Sequence, residues 1–345
     1  MWDPKEIKNV VVFGGTGAQG KSVVKQLTAT GLYNITVPTR NPSTPAALDL
    51  LTYNNTRLLQ ASYTTASGLH AIFANQDAAF ISFNSFALRE PDELYWTIRA
   101  YEIAAASGVK HFVYSGAPNR LAAHGYDEKF RNAHNAVAGH LTSWLEAQPT
   151  TQMAWTVVTG GVYIEMLGSL LKPVQAGDGT LVFAAPIGEG SVPLMPLEDY
   201  GALVKWVLGH PEESVGKRIA GAPFVTSWPE LVEAFKEATG LEAVFRDLTK
   251  EEWFEGIKGY VDPDERMPKG VAEDDETATT FKKSFGAWWD LWKFNERDVE
   301  VERRQRDFME AVNPGRPKSV ADWMKRTGYD GGLKEALKMR KDEEA

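Results

Sequence analysis

Short apolar runs alternate with amphipathic stretches through the first 160 residues. Asn9 to Phe13, Ile35 to Pro38, Leu58 to Tyr63, Ala78 to Ser85, His111 to Gly116 and Met153 to Gly161 each read as a β-strand, most of them too apolar to have a wet face. Between them lie helical patterns: one opening at Lys21-Ser-Val-Val, one from Ala66 to Asn75, and one from about Asp127 to Gln148. The stretch from Pro91 to Ser107 has proline and acids in its first turn and Gly108 just past its end, which punctuates a helix at both termini. Strands and helices alternating at this spacing predict an α/β fold, a doubly wound parallel sheet covered on both faces.

From Gly160 the rhythm changes. Glycine and proline are frequent up to Pro193, and the later chain reads as mainly helical. Ser227-Trp-Pro-Glu230 and Thr249-Lys-Glu-Glu252 have the form of capping boxes. Phe281, Phe285, Trp288, Trp289 and Trp292 recur at helical spacing, a stripe that reads first as packed core and second as a pocket wall. The pattern divides the chain into a first domain over residues 1–160, to which 195–225 return, and a smaller domain over 161–194 and 226–345. Ala272 to Glu276 reads as an exposed acidic loop and Lys338 to Ala345 as a fraying tail.

Composition narrows the classes. Among 345 residues 43% are hydrophobic and 24% charged, an ordinary globular balance. A net charge of −9 argues against a nucleic-acid backbone or an anionic membrane as the main partner. With no cysteine, disulfides, thiolate metal sites and thiol catalysis are excluded. The six histidines show no metal-ligand spacing, and no serine nucleophile elbow is visible. The first residues lack a secretory pattern and no apolar run approaches a membrane span, so a cytoplasmic protein is expected. Without a secretory signal, the sequons at Asn34 and Asn54 are chance matches.

The candidate chemistry sits where the first strand stops. Gly14, Gly17 and Gly20 have the G-x-x-G-x-x-G spacing, with Thr16 and Gln19 between them. One glycine permits the tight turn, one lets a pyrophosphate lie on bare backbone, and one lets the helix pack closely on the strand. The helix start then presents unpaired N–H groups and a positive dipole end to the phosphates. About twenty residues on, where an NAD-selective site places a carboxylate, the chain has Thr39 and Arg40. A carboxylate repels a 2′-phosphate, whereas an arginine grips it with a planar fork of donors. NADP(H) is therefore the expected cofactor, against the simpler reading of Arg40 as a turn residue in water. Asn84 and Ser115, at the carboxyl ends of the fourth and fifth strands, are expected on the nicotinamide side of the cleft.

Phe13-Gly-Gly-Thr-Gly-Ala-Gln-Gly20, Thr39-Arg-Asn-Pro42 and His111-Phe-Val-Tyr-Ser-Gly116 resemble the NmrA-like family of atypical short-chain dehydrogenase/reductases. The likeness continues through Val192 to Gly201 and covers most of the chain. It implies a Rossmann domain that prefers NADP(H), closed by a smaller C-terminal domain over a small-molecule substrate. The family holds reductases of aromatic or benzylic substrates as well as a cofactor-sensing regulator without catalysis. Its reductases carry a lysine three residues before a valine, here Val137; at that place this chain has His134, which can also transfer protons near neutral pH. Lys129 is a weaker candidate, and Tyr126 lies one residue too close to it for the Tyr-x-x-x-Lys pair of common short-chain dehydrogenases. Where relatives have a Glu-Asn pair, this chain reads Tyr163-Ile-Glu165-Met166, so Tyr163 becomes a candidate hydrogen-bond donor in the nicotinamide pocket. Phe86, Tyr163, Met166 and some late tryptophans suggest an apolar cleft suited to an aromatic substrate. The expected function is an NADP(H)-dependent oxidoreductase acting on a carbonyl, an enone or an aromatic-derived small molecule. A non-catalytic NADP(H) sensor with a protein partner, and a redox-neutral isomerase, dehydratase or lyase using His134, are the rivals. A homodimer stays open.

Overall fold

The computed structural model describes residues 3–268, 271–272 and 274–334; the tail Lys338–Ala345 lies outside them. Its centre is a seven-stranded parallel sheet. Strands β1 (Asn9–Val12), β2 (Asn34–Thr39), β3 (Thr56–Gln60), β4 (Ala78–Ile81), β5 (His111–Gly116) and β6 (Ala154–Thr159) supply six of the seven. Their order is β6-β5-β4-β1-β2-β3, and Lys217–Ala220 adds in parallel to the outer edge of β6.

The side-chain period of a strand explains how the sheet is covered. Val10 and Val12 of β1 face one way, beneath helices Ala18–Thr28 and Leu197–Gly209. Val11 and the following Phe13 face the other, beneath Ala66–Phe73, Glu90–Ala106 and Ala133–Glu146. The expected doubly wound parallel sheet is what the chain forms.

A second core, around Trp228, Trp253, Phe285 and Trp289, belongs to the remaining chain. The aromatic stripe is indeed packed: Phe281, Phe285, Trp288, Trp289 and Trp292 are all buried along the helix Phe281–Lys293. Both capping boxes form, at Ser227 and Thr249, each with its reciprocal glutamate bond. The helices there are accompanied by two three-stranded sheets that the helical pattern did not announce. One joins Val162–Tyr163, Ser191–Met195 and Phe224–Ser227; the other joins Val174–Gln175, Leu181–Ala185 and Ala243–Asp247.

Three local expectations need correction. The helix expected from Asp127 to Gln148 is interrupted: a short 3-10 turn Glu128–Phe130 precedes Ala133–Glu146. The break occurs because Asn132 caps the later helix, accepting from Asn135 N, while its amide donates to Ser284 O at 2.8 Å in the second core. The fourth strand ends at Ile81, so Ser82–Ser85 form a loop rather than its polar end. In the acidic segment, where residue 273 lies outside the described residues, Asp275 is partly buried and accepts from Arg89 Nη1 at 3.1 Å.

Candidate active site

The turn after β1 is shaped by steric needs that differ from glycine to glycine. Gly14 has φ +67°, and a Cβ there would lie 2.7 Å from Ser82 O. Gly17 N donates to Gly14 O at 2.9 Å, closing the turn. A Cβ on Gly20 would stand 2.2 Å from that same carbonyl, so the helix cannot approach the turn with any larger residue. Gly17 is different. Its Cβ would meet only Gly14 O, at 3.3 Å, and it caps the helix Ala18–Thr28 with no side-chain bond to the exposed N–H groups. The protein leaves these donors over bare backbone, the arrangement a pyrophosphate fills. Thr16 lies half-buried in the same turn. Gly15 serves packing, since a Cβ there would press on Val37 at 2.7 Å.

Gln19 begins the next layer. Its Oε1 accepts from Ser82 Oγ at 2.8 Å and from Ser115 Oγ at 2.9 Å, tying the first helix to the ends of β4 and β5. Tyr200, on the helix Leu197–Gly209, donates to Ser115 Oγ at 2.9 Å. Tyr163 lies beside Gln19, whose side chain partly offsets the rise in its pKa. Five residues from five separate segments thus converge on one hub at the carboxyl end of the sheet. Burial raises the pKa of both tyrosines well above the ordinary phenol value, so both stay protonated.

Glu165, two residues past Tyr163, is part of the same wall. One oxygen accepts from Leu197 N at 3.0 Å, while the other is buried without a partner. Burial pushes its pKa up to about 7, so its carboxyl titrates in the neutral range, and its charge further raises Tyr163.

His134 lies in a different setting. It sits in the first turn of Ala133–Glu146, its ring 5.2 Å from that of Phe86 and 5.9 Å from that of Phe285. Some of its surface remains accessible, yet the ring is enclosed by aromatics and Nδ1 has no partner. Desolvation lowers its pKa to about 4, so the imidazole is neutral at pH 7.

The remaining sequence candidates spread outward. Arg40 is exposed just beyond β2, where its carbonyl accepts from Gln60 Nε2 at 3.3 Å. Asn84 is exposed and folds its Oδ1 back onto Phe86 N at 3.0 Å. Lys129 is exposed on its 3-10 turn with Nζ 3.8 Å above the Phe294 ring, apart from the hub. The structure therefore brings together Gln19, Ser115 and Tyr163 but not His134, Asn84 or Lys129. Sequence reasoning missed Ser82 and Tyr200 as members of the hub and Glu165 as its neighbour. Glu165 and Tyr200 stood inside motifs already singled out, but nothing in linear spacing said that they would come near Gln19. Among the described residues no group of acids and histidines could hold a metal, and no helix is long and apolar enough to cross a membrane.

Comparison with known proteins follows this geometry. The profile of the NmrA-like family matches residues 6–323. The NmrA-like family domain-containing oxidoreductase hkm9 of Aspergillus hancockii is 26% identical over 277 residues, 73% of this chain and 78% of that protein. A crystal structure of mutant NmrA superposes with a TM-score of 0.71 at 18% identity, over 94% of this chain and 99% of the other. The NADPH-dependent quinone oxidoreductase QOR2 of Escherichia coli, complexed with NADPH, gives a TM-score of 0.58 at 19% identity, over 88% and 99%.

Proposed function

From the chain's membership of the NmrA-like family, we propose that it is an NADPH-dependent oxidoreductase that reduces a carbonyl or enone on an apolar, aromatic-derived small molecule. The observation that carries this reading is the hub itself: Gln19 bonded to Ser82 and Ser115, with protonated Tyr163 beside it and the open donors of the glycine turn on the same helix.

When bound, NADPH supplies a hydride. The chain's residues do the rest. The helix N-terminus and the backbone at Gly17 hold the pyrophosphate. Arg40, exposed beyond β2, grips the 2′-phosphate. Gln19 and Ser115, fixed to each other, would orient the nicotinamide half. Tyr163 would donate to the substrate oxygen as charge develops there, with the Glu165 carboxyl, whose pKa is near 7, close by. The balance is that of a two-electron reduction: hydride to carbon, proton to oxygen, oxidised cofactor released.

His134 is the other proton donor the sequence offers. At a pKa of about 4 it is neutral at pH 7 and cannot act as an imidazolium acid, which favours Tyr163 for that role. The aromatic surroundings, with Phe86 and Phe285 facing each other across the seam between the two cores, suit a flat apolar substrate.

The test is a substrate screen with NADPH, using aryl aldehydes, quinones and aryl enones. Loss of nicotinamide absorbance matched one-to-one by reduced product is expected for at least one class. Tight NADPH binding with no turnover in any class would overturn the enzyme reading in favour of a cofactor sensor.

A further inference from the structure

Arg316 is buried and Arg120 half-buried, and the two are treated differently. Arg316 is 1% exposed, and its Nε lies 3.1 Å from the buried carboxylate of Asp199. Arg120 has no such counter-charge. It follows β5 on the four-residue helix Arg120–Ala123 and reaches across to the second core, its guanidinium 4.6 Å above the Trp292 ring. Its Nη1 donates to Asn295 Oδ1 at 3.2 Å, and among the described residues no carboxylate pairs with it. Desolvation lowers its pKa, yet an arginine keeps its charge. In a chain with 46 acidic residues and a net charge of −9, a half-buried cation left without a carboxylate is specific to the place.

The surroundings are polar but neutral. Asn295 also donates its amide to Ser191 Oγ at 3.2 Å, and the buried indole N–H of Trp292 has no acceptor. The guanidinium therefore rests on an aromatic face with most of its five donors uncommitted, at the seam between the two cores. That is what a planar oxyanion needs for bidentate recognition.

We propose that Arg120 is the anchor for a carboxylate on the substrate. The proposal rests on the reductase reading above and deepens it. The fold also sets the reach. Ser191, which Asn295 contacts, opens the strand Ser191–Met195, whose last residue pairs with Tyr163. Four strand steps span about 13 Å. The substrate class is thus an aryl carbonyl compound whose carboxylate stands apart from the reducible carbon.

The experiment titrates the NADPH-loaded protein with 4′-formylbiphenyl-4-carboxylic acid and with its methyl ester, following binding calorimetrically for wild type, Arg120→Lys and Arg120→Met. The wild type is expected to bind the acid at least tenfold more tightly than the ester. Arg120→Met should lose that preference while keeping its affinity for the ester, and Arg120→Lys should keep part of it. Equal binding of acid and ester by wild type, binding of neither, or a preference that survives in Arg120→Met would overturn the proposal. A variant that melts earlier but keeps the preference would make Arg120 a latch between the cores only. NADPH affinity, measured first on each protein, separates the two levels: retained NADPH binding without acid preference removes the anchor alone, whereas absent NADPH binding removes the reductase reading.

Discussion

At one place beside the cleft, Gln19, Ser82, Ser115 and Tyr200 bind one another through their side chains with Tyr163 beside them; at another, His134 packs against Phe86 and Phe285 with a ring nitrogen bound to nothing. Both places are poor in water. Their chemistry differs because burial acts on different groups. A buried phenol keeps its proton and remains a donor, while a buried imidazole loses its proton and ceases to be an acid. Position in a family motif would have favoured His134; electrostatics favours Tyr163. A residue type known for proton transfer is thus not a proton donor until its surroundings allow the charge.

The strongest way to break this comparison is through the turn that positions the hub. Gly20→Ala places a methyl group inside the Gly14 carbonyl and should cost several kcal/mol, read as a large fall in melting temperature and loss of NADPH binding. Gly17→Ala, with nothing closer than 3.3 Å, should leave melting nearly unchanged and weaken NADPH alone. If both variants melt alike, the glycines are one packing unit and the cradle has no separate existence.

Next comes the direct contrast. Tyr163→Phe should lower kcat by about 10²–10³ with little change in NADPH affinity, the size expected for losing an oxyanion donor. His134→Leu should change kcat by less than about threefold. It should also leave stability nearly intact, because it removes a buried nitrogen that has no partner. Reversed results would return the proton to His134.

Legibility in the sequence followed the same divide. The turn could be read because its constraints are backbone constraints, and Gly14, Gly17 and Gly20 are spaced by the geometry of a single strand, turn and helix. The capping boxes at Ser227 and Thr249 were readable for the same local reason. The hub was not, since Gln19 and Ser115 are 96 residues apart and Ser115 and Tyr200 a further 85. The broken helix before Ala133 was hidden likewise, because the bond that holds Asn132 comes from Ser284. The strand Lys217–Ala220 reads Lys-Arg-Ile-Ala, with no alternation to announce it, and pairing with β6 alone makes it a strand.

A subtler lever is pH. Glu165 has an ordinary carboxyl pKa when unfolded and one of about 7 when folded. Between roughly pH 4.5 and 7 the folded protein therefore holds a proton that the unfolded chain has released, and stability falls as pH rises through that window. The contribution is on the order of 3 kcal/mol over the window. Denaturation at pH 5 and pH 8 should show a smaller pH dependence in Glu165→Gln than in wild type; an unchanged slope would mean that the carboxyl is not held protonated. Glu93, also raised to about 7 by burial, adds to that slope, whereas His111 and His134, lowered by burial, oppose it.

The central claim is that this chain uses its glycine turn and Arg40 to hold NADPH. Calorimetric titration of wild type and Arg40→Ala with NADPH and NADH tests it most directly. Wild type should bind NADPH at least tenfold more tightly than NADH, and Arg40→Ala should abolish that difference by losing affinity for NADPH only, about 1.5–3 kcal/mol. Binding of neither nucleotide would contradict the account, because the turn would then be scaffold and the hub would have no hydride beside it.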